Sequence, residues 1–301
     1  MYHYILHNYY HITNQTVFLR YSLEKVYKKY NCHGHCILSE SLKNNVAYFN
    51  TISALKYCLI RDSNSRFDEV SRTSNNSDKV KLIVFDMDST LIDAETIDEL
   101  AHAAGVGDEV AAITERAMQG ELDFSEALLE RVKLLKGLPL DKAHGALDKM
   151  PFMPGAKELV KYLKSRGYKT AMISGGFTMA AERIGGALDI DSVVANELLI
   201  DNGHLTGKVK GPLTEHGSKE SVLEEICLKY GIKPNECIVV GDGANDICIF
   251  KRARYAIAFN SKPILHEYAD IVITEKNLEA VIPIIQLLES EKGQVSCIRD
   301  A

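Results

Sequence analysis

The sequence predicts an α/β protein built on a parallel β-sheet, because short apolar runs alternate with helical patterns from residue 80 onward. The first run, Leu82–Phe85, is typical of a strand that is buried on both faces. Two later runs, at 170–173 and 237–240, have the same character. Strands that alternate with helices pair in parallel through right-handed crossovers. With 301 residues and 46% hydrophobic content, the chain can bury a large core.

Residues 1–78 differ in composition from the rest of the chain and are expected to form a small N-terminal α+β module of unknown function. They contain nine of the 14 tyrosines but only one glycine and no proline. The segments 16–21 and 46–49 fit strands, and the segment 23–30 fits a helix. The polar run 62–79 is interpreted as a linker.

Residues 93–152 show helical spacing and no convincing strand, which predicts a helical cap inserted into the sheet domain. Its first helix, at 94–105, ends at Gly105. The alternating pattern resumes at Pro154, a residue suited to the first turn of a helix. The remaining predicted elements are helices at 154–167 and 218–230 and strands at 170–173, 237–240, 256–259 and 271–274. The predicted limits are 79–92 and 153–290 for the core, 93–152 for the cap, and 291–301 for a polar tail.

Composition narrows the class of function. The formal net charge of −6, without a basic run, argues against nucleic acid as a partner and favours a small-molecule substrate. The chain has no uninterrupted apolar stretch of about 18 residues and no cationic segment followed by an apolar one at its start, so we expect a cytoplasmic protein without a membrane partner. The seven cysteines are scattered and odd in number, which fits reduced thiols. Four potential zinc ligands, two cysteines and two histidines, lie within 32–36, but such close spacing favours a local turn over a tetrahedral site.

Polar clusters follow three of the predicted strands. They are Asp86 with Asp88, Ser174 with Gly175 and Gly176, and Asp242 with Asn245 and Asp246. Because the carboxyl ends of parallel strands meet at one edge of a sheet, we expect the three clusters to converge. Each cluster alone could be an ordinary turn. An EF-hand reading of the first cluster fails because the required ligand and glycine positions hold Thr90, Leu91 and Ile97.

Together the clusters supply what phosphoryl transfer from a monoester requires. The carboxylates offer a nucleophile, a group to carry the proton, and ligands for Mg²⁺. The hydroxyl of Ser174, nearby backbone amides and the ammonium of Lys219 suit the phosphate oxygens. Lys219 by itself would be read as a solvated lysine near a helix start.

These motifs, in this order, resemble those of the haloacid dehalogenase (HAD) superfamily. Within it, residues 80–288 are similar to the bacterial type of phosphoserine phosphatases. The residues that carry this closer similarity are Asp88-Ser89-Thr90, Glu95, the cap segment 114–124, Arg131-Val132, and the segments 174–178 and 194–198. The resemblance implies a Rossmann-like parallel sheet with an inserted helical cap. It does not extend to residues 1–78, so feedback regulation by serine is not implied.

The resemblance also implies an activity and a set of roles. The activity is Mg²⁺-dependent hydrolysis of O-phospho-L-serine to L-serine and phosphate, the last step of serine biosynthesis, through an aspartyl phosphate. Asp86 would be the nucleophile, and Asp88 the general acid and later the base. The implied metal ligands are Asp86, Asp88 through its backbone carbonyl, Asp242 and Asp246. The implied phosphate-binding residues are Ser174, Gly175, Lys219 and Asn245.

In the cap, the resemblance implies that Glu95 binds the substrate ammonium and Arg131 its carboxylate, with Met118 and Phe124 closing the apolar side. An arginine suits a carboxylate because its planar fork can donate two parallel hydrogen bonds. Transfer of the phosphoryl group to another alcohol, or action on homoserine phosphate, would use the same site and stays open. A ligand-sensing or assembly protein with secondary catalysis is disfavoured, because the motifs are intact. The oligomeric state is open, with a homodimer as one option.

Overall fold

The computed structural model describes residues 10–12, 15–18, 80–215 and 217–290. Within these residues a nine-stranded sheet has the order β1-β2-β9-β8-β7-β3-β4-β5-β6. The strands are Tyr10–Ile12, Gln15–Phe18, Leu82–Phe85, Lys169–Phe177, Ser192–Asp201, His204–Lys210, Cys237–Gly241, Tyr255–Phe259 and Ile271–Ile273, numbered β1 to β9 in chain order. The run from β9 to β5 is parallel throughout, whereas β6 at one edge and β1 and β2 at the other are antiparallel. The predicted α/β fold with a parallel sheet is confirmed.

Helices cover both faces of the parallel part of the sheet. They are Thr96–Ala104, Gly107–Met118, Phe124–Leu134, Leu140–Leu147, Ala156–Ser165, Thr178–Leu188, Ser218–Tyr230, Ile247–Phe250 and Val281–Ser290, numbered α1 to α9. Short 3-10 turns lie at Pro234–Glu236, Ala244–Asp246, Pro263–Glu267 and Leu278–Ala280. In β3, Ile83 and Phe85 enter the core cluster that includes residues of α5, α6 and α9, while Leu82 and Val84 enter the cluster formed with α7 and α8. Because side chains alternate along a strand, β3 is buried on both faces, as its sequence predicts.

The helical cap consists of α1 to α4 and lies between β3 and α5 in the chain. Gly105 ends α1 in a left-handed conformation with φ 75°, the geometry expected of a glycine stop. The two ends of the inserted segment are bonded to each other: the N–H of Asp93 donates to Pro151 O at 3.0 Å, and that of Met153 to Leu91 O at 2.9 Å. The cap therefore leaves and re-enters the core at one place.

A long antiparallel hairpin, β5 and β6, has no counterpart among the elements predicted from the sequence. The hairpin extends from the parallel part of the sheet to the cap. There the N–H of Leu205 donates to Leu138 O at 2.9 Å, and the N–H of Gly137 donates to Leu205 O at 2.8 Å. Gly207 has φ +75°, and a Cβ there would lie 2.9 Å from Lys133 O. Glycine therefore permits the close approach of the hairpin to α3.

The other elements follow the sequence prediction closely. The predicted helix at 218–230 matches α7, and the predicted strands at 237–240, 256–259 and 271–274 match β7, β8 and β9 within about one residue, which is the usual uncertainty of element ends. Strand β4 is longer than the predicted 170–173, because it continues through the Ser-Gly-Gly segment, where its register with β5 shifts.

Several predictions lie mainly outside the described residues. These are the helix at 23–30, the strand at 46–49, the 32–36 cluster, the linker at 62–79 and the tail at 291–301. The predicted strand at 16–21 overlaps β2, which pairs with β9. The domain boundary at residue 78 stays a prediction. In the part of the chain that the structure describes, no helix has the length and apolar character needed to cross a bilayer.

Candidate active site

The three polar clusters meet at the carboxyl edge of the parallel sheet, as the sequence predicts. Phe85 in β3 pairs in register with Met172 of β4 and with Val240 of β7. The residues that follow these three positions are therefore brought side by side. The backbone N–H of Asp86 donates to Val240 O at 3.0 Å, which fixes the first aspartate against β7.

A buried lysine lies between two of the aspartates. The Nζ of Lys219 lies 2.9 Å from Oδ1 of Asp86 and 2.7 Å from Oδ1 of Asp246. Although burial alone would lower the pKa of Lys219, the carboxylates of Asp246 and Asp86 raise it. Asn245 donates from Nδ2 to Oδ2 of Asp86 at 3.3 Å. Lys219 therefore belongs to the site and is not the solvated lysine that its sequence context alone would suggest.

Three carboxylates can share one cation. Asp86, Asp242 and Asp246 each offer an oxygen within 4.8 Å of the others, and all three residues are buried. Burial and repulsion from Asp86 and Asp246 raise the pKa of Asp242 to about 8. Burial likewise raises the pKa of Asp246 to about 6, with Lys219 opposing the rise. Carboxylate oxygens in this arrangement suit a hard divalent cation, so the residues fit a metal centre.

The Ser-Gly-Gly segment of β4 lies at the same edge. The N–H of Gly176 donates to Oγ of the fully buried Ser174 at 2.9 Å. Asn196, which is also fully buried, donates from Nδ2 to Gly175 O at 3.1 Å and holds the segment in place. A Cβ at Gly175 would lie 3.1 Å from Cζ of Phe124, so the Phe124 ring of the cap lies over the segment.

Asp88 lies in the core just before the cap and is bonded to the first residue of α1. Its Oδ1 accepts a hydrogen bond from the N–H of Thr96 at 2.8 Å, and its Oδ2 accepts one from Oγ1 of Thr96 at 3.2 Å. Burial, together with the negative charges of Glu95 and Asp86, raises the pKa of Asp88 well above its ordinary range. A raised pKa favours the protonated carboxyl group that a general acid requires.

The cap residues differ in how closely they approach the site. Glu95 accepts a hydrogen bond from Oγ of Ser89 at 2.7 Å, and the φ of 54° at Ser89 places this residue in the left-handed region. Arg131 is half-buried, and the charges of Asp98, Glu95 and Asp88 act on its guanidinium. The Met118 side chain is 73% exposed at the end of α2, so its predicted contact with substrate stays a prediction.

Sequence reasoning did not assign two residues that this geometry brings into the site. Asn196 was noted only as part of the motif at 194–198, and a buried amide inside an apolar strand was the signal that could have identified it. Thr96 was overlooked beside Glu95. A threonine at a helix start is a common partner for unpaired backbone groups, but its contact with a residue eight positions earlier is not visible in the sequence.

A sequence profile of the haloacid dehalogenase-like hydrolases matches residues 80–254. The chain therefore belongs to this family, which the motif resemblance also indicated. A second profile, described as a protein of unknown function (DUF705), matches residues 1–112.

Among similar proteins are two archaeal phosphoserine phosphatases. The protein from Archaeoglobus fulgidus is 50% identical over 207 residues, which are 69% of this chain and 60% of that protein. The protein from Methanocaldococcus jannaschii is 46% identical over 208 residues, which are 69% of this chain and 99% of that protein. The chain thus covers nearly the whole of one relative and about three fifths of the other.

Two solved structures of phosphoserine phosphatases are also similar to this chain. A phospho-aspartyl intermediate analogue of phosphoserine phosphatase has a TM-score of 0.66 and 46% identity, covering 68% of this chain and 99% of that chain. A substrate-bound phosphoserine phosphatase complex has the same TM-score and identity, covering 68% of this chain and 98% of that chain. Both matches cover nearly the whole of the solved chain and about two thirds of this one.

Proposed function

We propose that this protein hydrolyses O-phospho-L-serine to L-serine and inorganic phosphate, using Mg²⁺ and an aspartyl-phosphate intermediate. The family membership and the phosphoserine phosphatase relatives support this activity. The cytoplasmic location expected from composition and the identity of the metal as Mg²⁺ are part of the proposal.

The observation that carries the substrate assignment is the half-buried guanidinium of Arg131 in the cap, on which the charges of Asp98, Glu95 and Asp88 act. Burial of its guanidinium lowers the pKa of Arg131, yet among the described residues no carboxylate lies within ion-pair distance of it. Its Nε donates to Ala127 O at 3.1 Å, which leaves the terminal nitrogens for another acceptor. A ligand with a carboxylate for Arg131, an ammonium for Glu95 and a phosphate at Ser174 has the chemistry of phosphoserine.

In the first half-reaction, an oxygen of Asp86 attacks phosphorus and forms the aspartyl phosphate as the bond from phosphorus to the serine oxygen breaks. Asp88 donates its proton to the departing oxygen. In the second half-reaction, water attacks the phosphorus, Asp88 accepts its proton, and Asp86 is released. The Lys219 ammonium lies 2.9 Å from Asp86 and is placed to offset negative charge on the transferring group.

Ser174, the N–H of Gly175 and Asn245 complete the proposed phosphate site, each supplying a hydrogen-bond donor. Asp86, Asp242, Asp246 and the backbone carbonyl of Asp88 would hold Mg²⁺. When bound, the ion supplies positive charge that offsets the charge on the phosphate oxygens. The cap residues Phe124 and Met118 are proposed to cover the apolar part of the substrate.

The experiment that tests this proposal replaces Arg131 by alanine and compares two substrates. Removing one partner of a buried charge pair costs on the order of 2 to 5 kcal/mol. We therefore expect kcat/KM for phosphoserine to fall roughly 30-fold to several thousand-fold. Phosphoethanolamine has the ammonium and phosphate but no carboxylate, so its kcat/KM should change little, and the ratio between the two substrates should collapse.

Arg116→Ala is the matched control, because Arg116 lies in the same cap but pairs with Glu121 and Glu130 at the surface. It should leave the substrate ratio unchanged. Equal losses for both substrates in Arg131→Ala would make Arg131 a structural residue of the cap. Turnover of homoserine phosphate in preference to phosphoserine, or transfer of phosphate to an added alcohol in preference to water, would overturn the assigned reaction.

A further inference from the structure

Thr96 holds the Asp88 carboxyl group through two contacts, although it lies outside the motifs that carry the chemistry. It is the first residue of α1, and its side chain is 1% exposed. Its N–H donates to Oδ1 of Asp88 at 2.8 Å and its hydroxyl donates to Oδ2 at 3.2 Å, so each carboxyl oxygen has its own partner. Two contacts on two oxygens restrict rotation of the carboxyl plane, which one contact would not do.

The space around this pair is fixed from the opposite side. A Cβ at Gly176 would lie 2.7 Å from Oδ2 of Asp88 and 2.8 Å from Oγ1 of Thr96. Both distances are shorter than a carbon and an oxygen tolerate, so the glycine leaves room for this geometry. Gly176 therefore lies close to both Asp88 and Thr96, and a side chain at this position would collide with both.

We propose that Thr96 is a positioning residue that aims the Asp88 carboxyl group at the leaving-group oxygen. The proposal rests on the proposed function, in which Asp88 donates that proton. In the step concerned, the bond between Asp86 and phosphorus forms, the bond from phosphorus to the serine oxygen breaks, and the proton moves from Asp88 to that oxygen. Thr96 forms and breaks no covalent bond. Its hydroxyl donates to Oδ2 of Asp88, and this oxygen can accept that bond whether or not it carries the proton, so the contact persists before and after the proton has moved.

A second threonine–aspartate pair, Thr170 and Asp191, lies away from the proposed active site. Thr170 donates from its N–H and from Oγ1 to Oδ2 of Asp191, at 2.9 and 3.0 Å, at the opposite end of the sheet. Thr170→Val likewise removes a threonine hydroxyl that is bonded to an aspartate, although here both bonds end on one oxygen, and the site lies at the other end of the sheet from the proposed chemistry. It is the control for any loss of stability that follows from removing a threonine hydroxyl beside an aspartate.

The experiment compares Thr96→Val, Thr96→Ser and Thr170→Val on alkyl and aryl phosphates. An alkoxide is a poor leaving group that needs the proton, whereas p-nitrophenolate leaves without one. Because kcat/KM reports the steps up to phosphorylation of Asp86, Thr96→Val should lower it about 10-fold to 100-fold for phosphoserine and phosphoethanolamine, but less than about 3-fold for p-nitrophenyl phosphate. Thr96→Ser should recover most of the loss, and Thr170→Val should show no difference between the substrates.

Equal losses on alkyl and aryl phosphates, or a selective loss in Thr170→Val, would overturn the proposal. If Thr96→Val does not fold, Thr96→Ala is measured with the same expectation. Failure of the proposed function gives a different result, in which the parent enzyme does not hydrolyse phosphoserine. Thr96 is then judged on phosphoethanolamine or ethyl phosphate against p-nitrophenyl phosphate, because the leaving-group comparison does not depend on the amino acid.

Discussion

At the amino end of the parallel sheet, Thr170 donates from its N–H and its hydroxyl to one oxygen of Asp191. At the carboxyl end, Thr96 donates from its N–H and its hydroxyl to the two different oxygens of Asp88. The surroundings of the two aspartates differ. Lys164 and Lys169 place their Nζ atoms 2.9 and 3.4 Å from Oδ1 of Asp191. No described lysine or arginine forms an ion pair with Asp88.

The difference is reflected in the pKa values. Although burial opposes it, hydrogen bonding to Lys164 and Thr170 lowers the pKa of Asp191 to about 2. Burial and neighbouring carboxylates raise the pKa of Asp88. Hydrogen bonds from a threonine therefore accompany a stabilised charge at one end of the sheet and a surplus of negative charge at the other. Perturbed carboxylates of the second kind are typical of functional sites.

The largest contrast is expected between Asp86→Asn and Asp191→Asn. An amide cannot act as the nucleophile, so Asp86→Asn should lower turnover at least about a thousandfold while substrate still binds. Asp191→Asn should keep turnover within about 3-fold but lower the free energy of unfolding by about 1 to 3 kcal/mol, because it weakens hydrogen bonds at a partly buried site. Steady-state kinetics and urea denaturation measure the two effects. A phosphorylated enzyme trapped with Asp86→Asn would remove Asp86 as the nucleophile.

A second contrast concerns Mg²⁺. An ion that binds only the folded state should raise the free energy of unfolding by about 2.7 kcal/mol at a concentration one hundred times its dissociation constant. Asp242→Asn should reduce this gain, because one negative ligand is lost, and without Mg²⁺ it should be no less stable than the parent, because repulsion from Asp86 and Asp246 is relieved. Asp191→Asn should retain the parent's gain. Thermal unfolding with and without Mg²⁺ provides the measurement, and an undiminished gain in Asp242→Asn would exclude Asp242 from the metal site.

The smallest effect is expected in acid. The pKa of Asp191 is lower in the folded state than its ordinary value of 3.8, so its contribution to stability is present above that value and is lost as the pH falls toward about 2. The parent should therefore lose more stability than Asp191→Asn between about pH 4.5 and pH 2.5. Urea denaturation midpoints at several pH values compare the two proteins. Parallel losses would mean that Asp191 keeps an ordinary pKa in the folded protein.

The sequence predicted elements whose formation depends on local pattern. β3 and α7 match their predicted bounds, since a continuous apolar run and a helical period are local signals. Convergence of the three clusters was also predictable, because it follows from parallel topology. The contact of Thr96 with Asp88 depends on how the cap returns toward the sheet, and the β5–β6 hairpin depends on its support by the cap, so neither has a periodic signal.

The two ends of the cap insertion lie next to each other, which bears on how the length and sequence of the cap can change. Because Asp93 is hydrogen-bonded to Pro151 and Met153 to Leu91 across the junction, we expect that the segment between these pairs can be lengthened, shortened or exchanged without altering the strand register that positions Asp86 and Asp242. Under the proposed function, the residues that select the organic part of the substrate and those that transfer phosphate would then lie on separable parts of the chain. The close approach at Gly207 sets the limit, since a transplanted cap must still present a surface that the hairpin can touch.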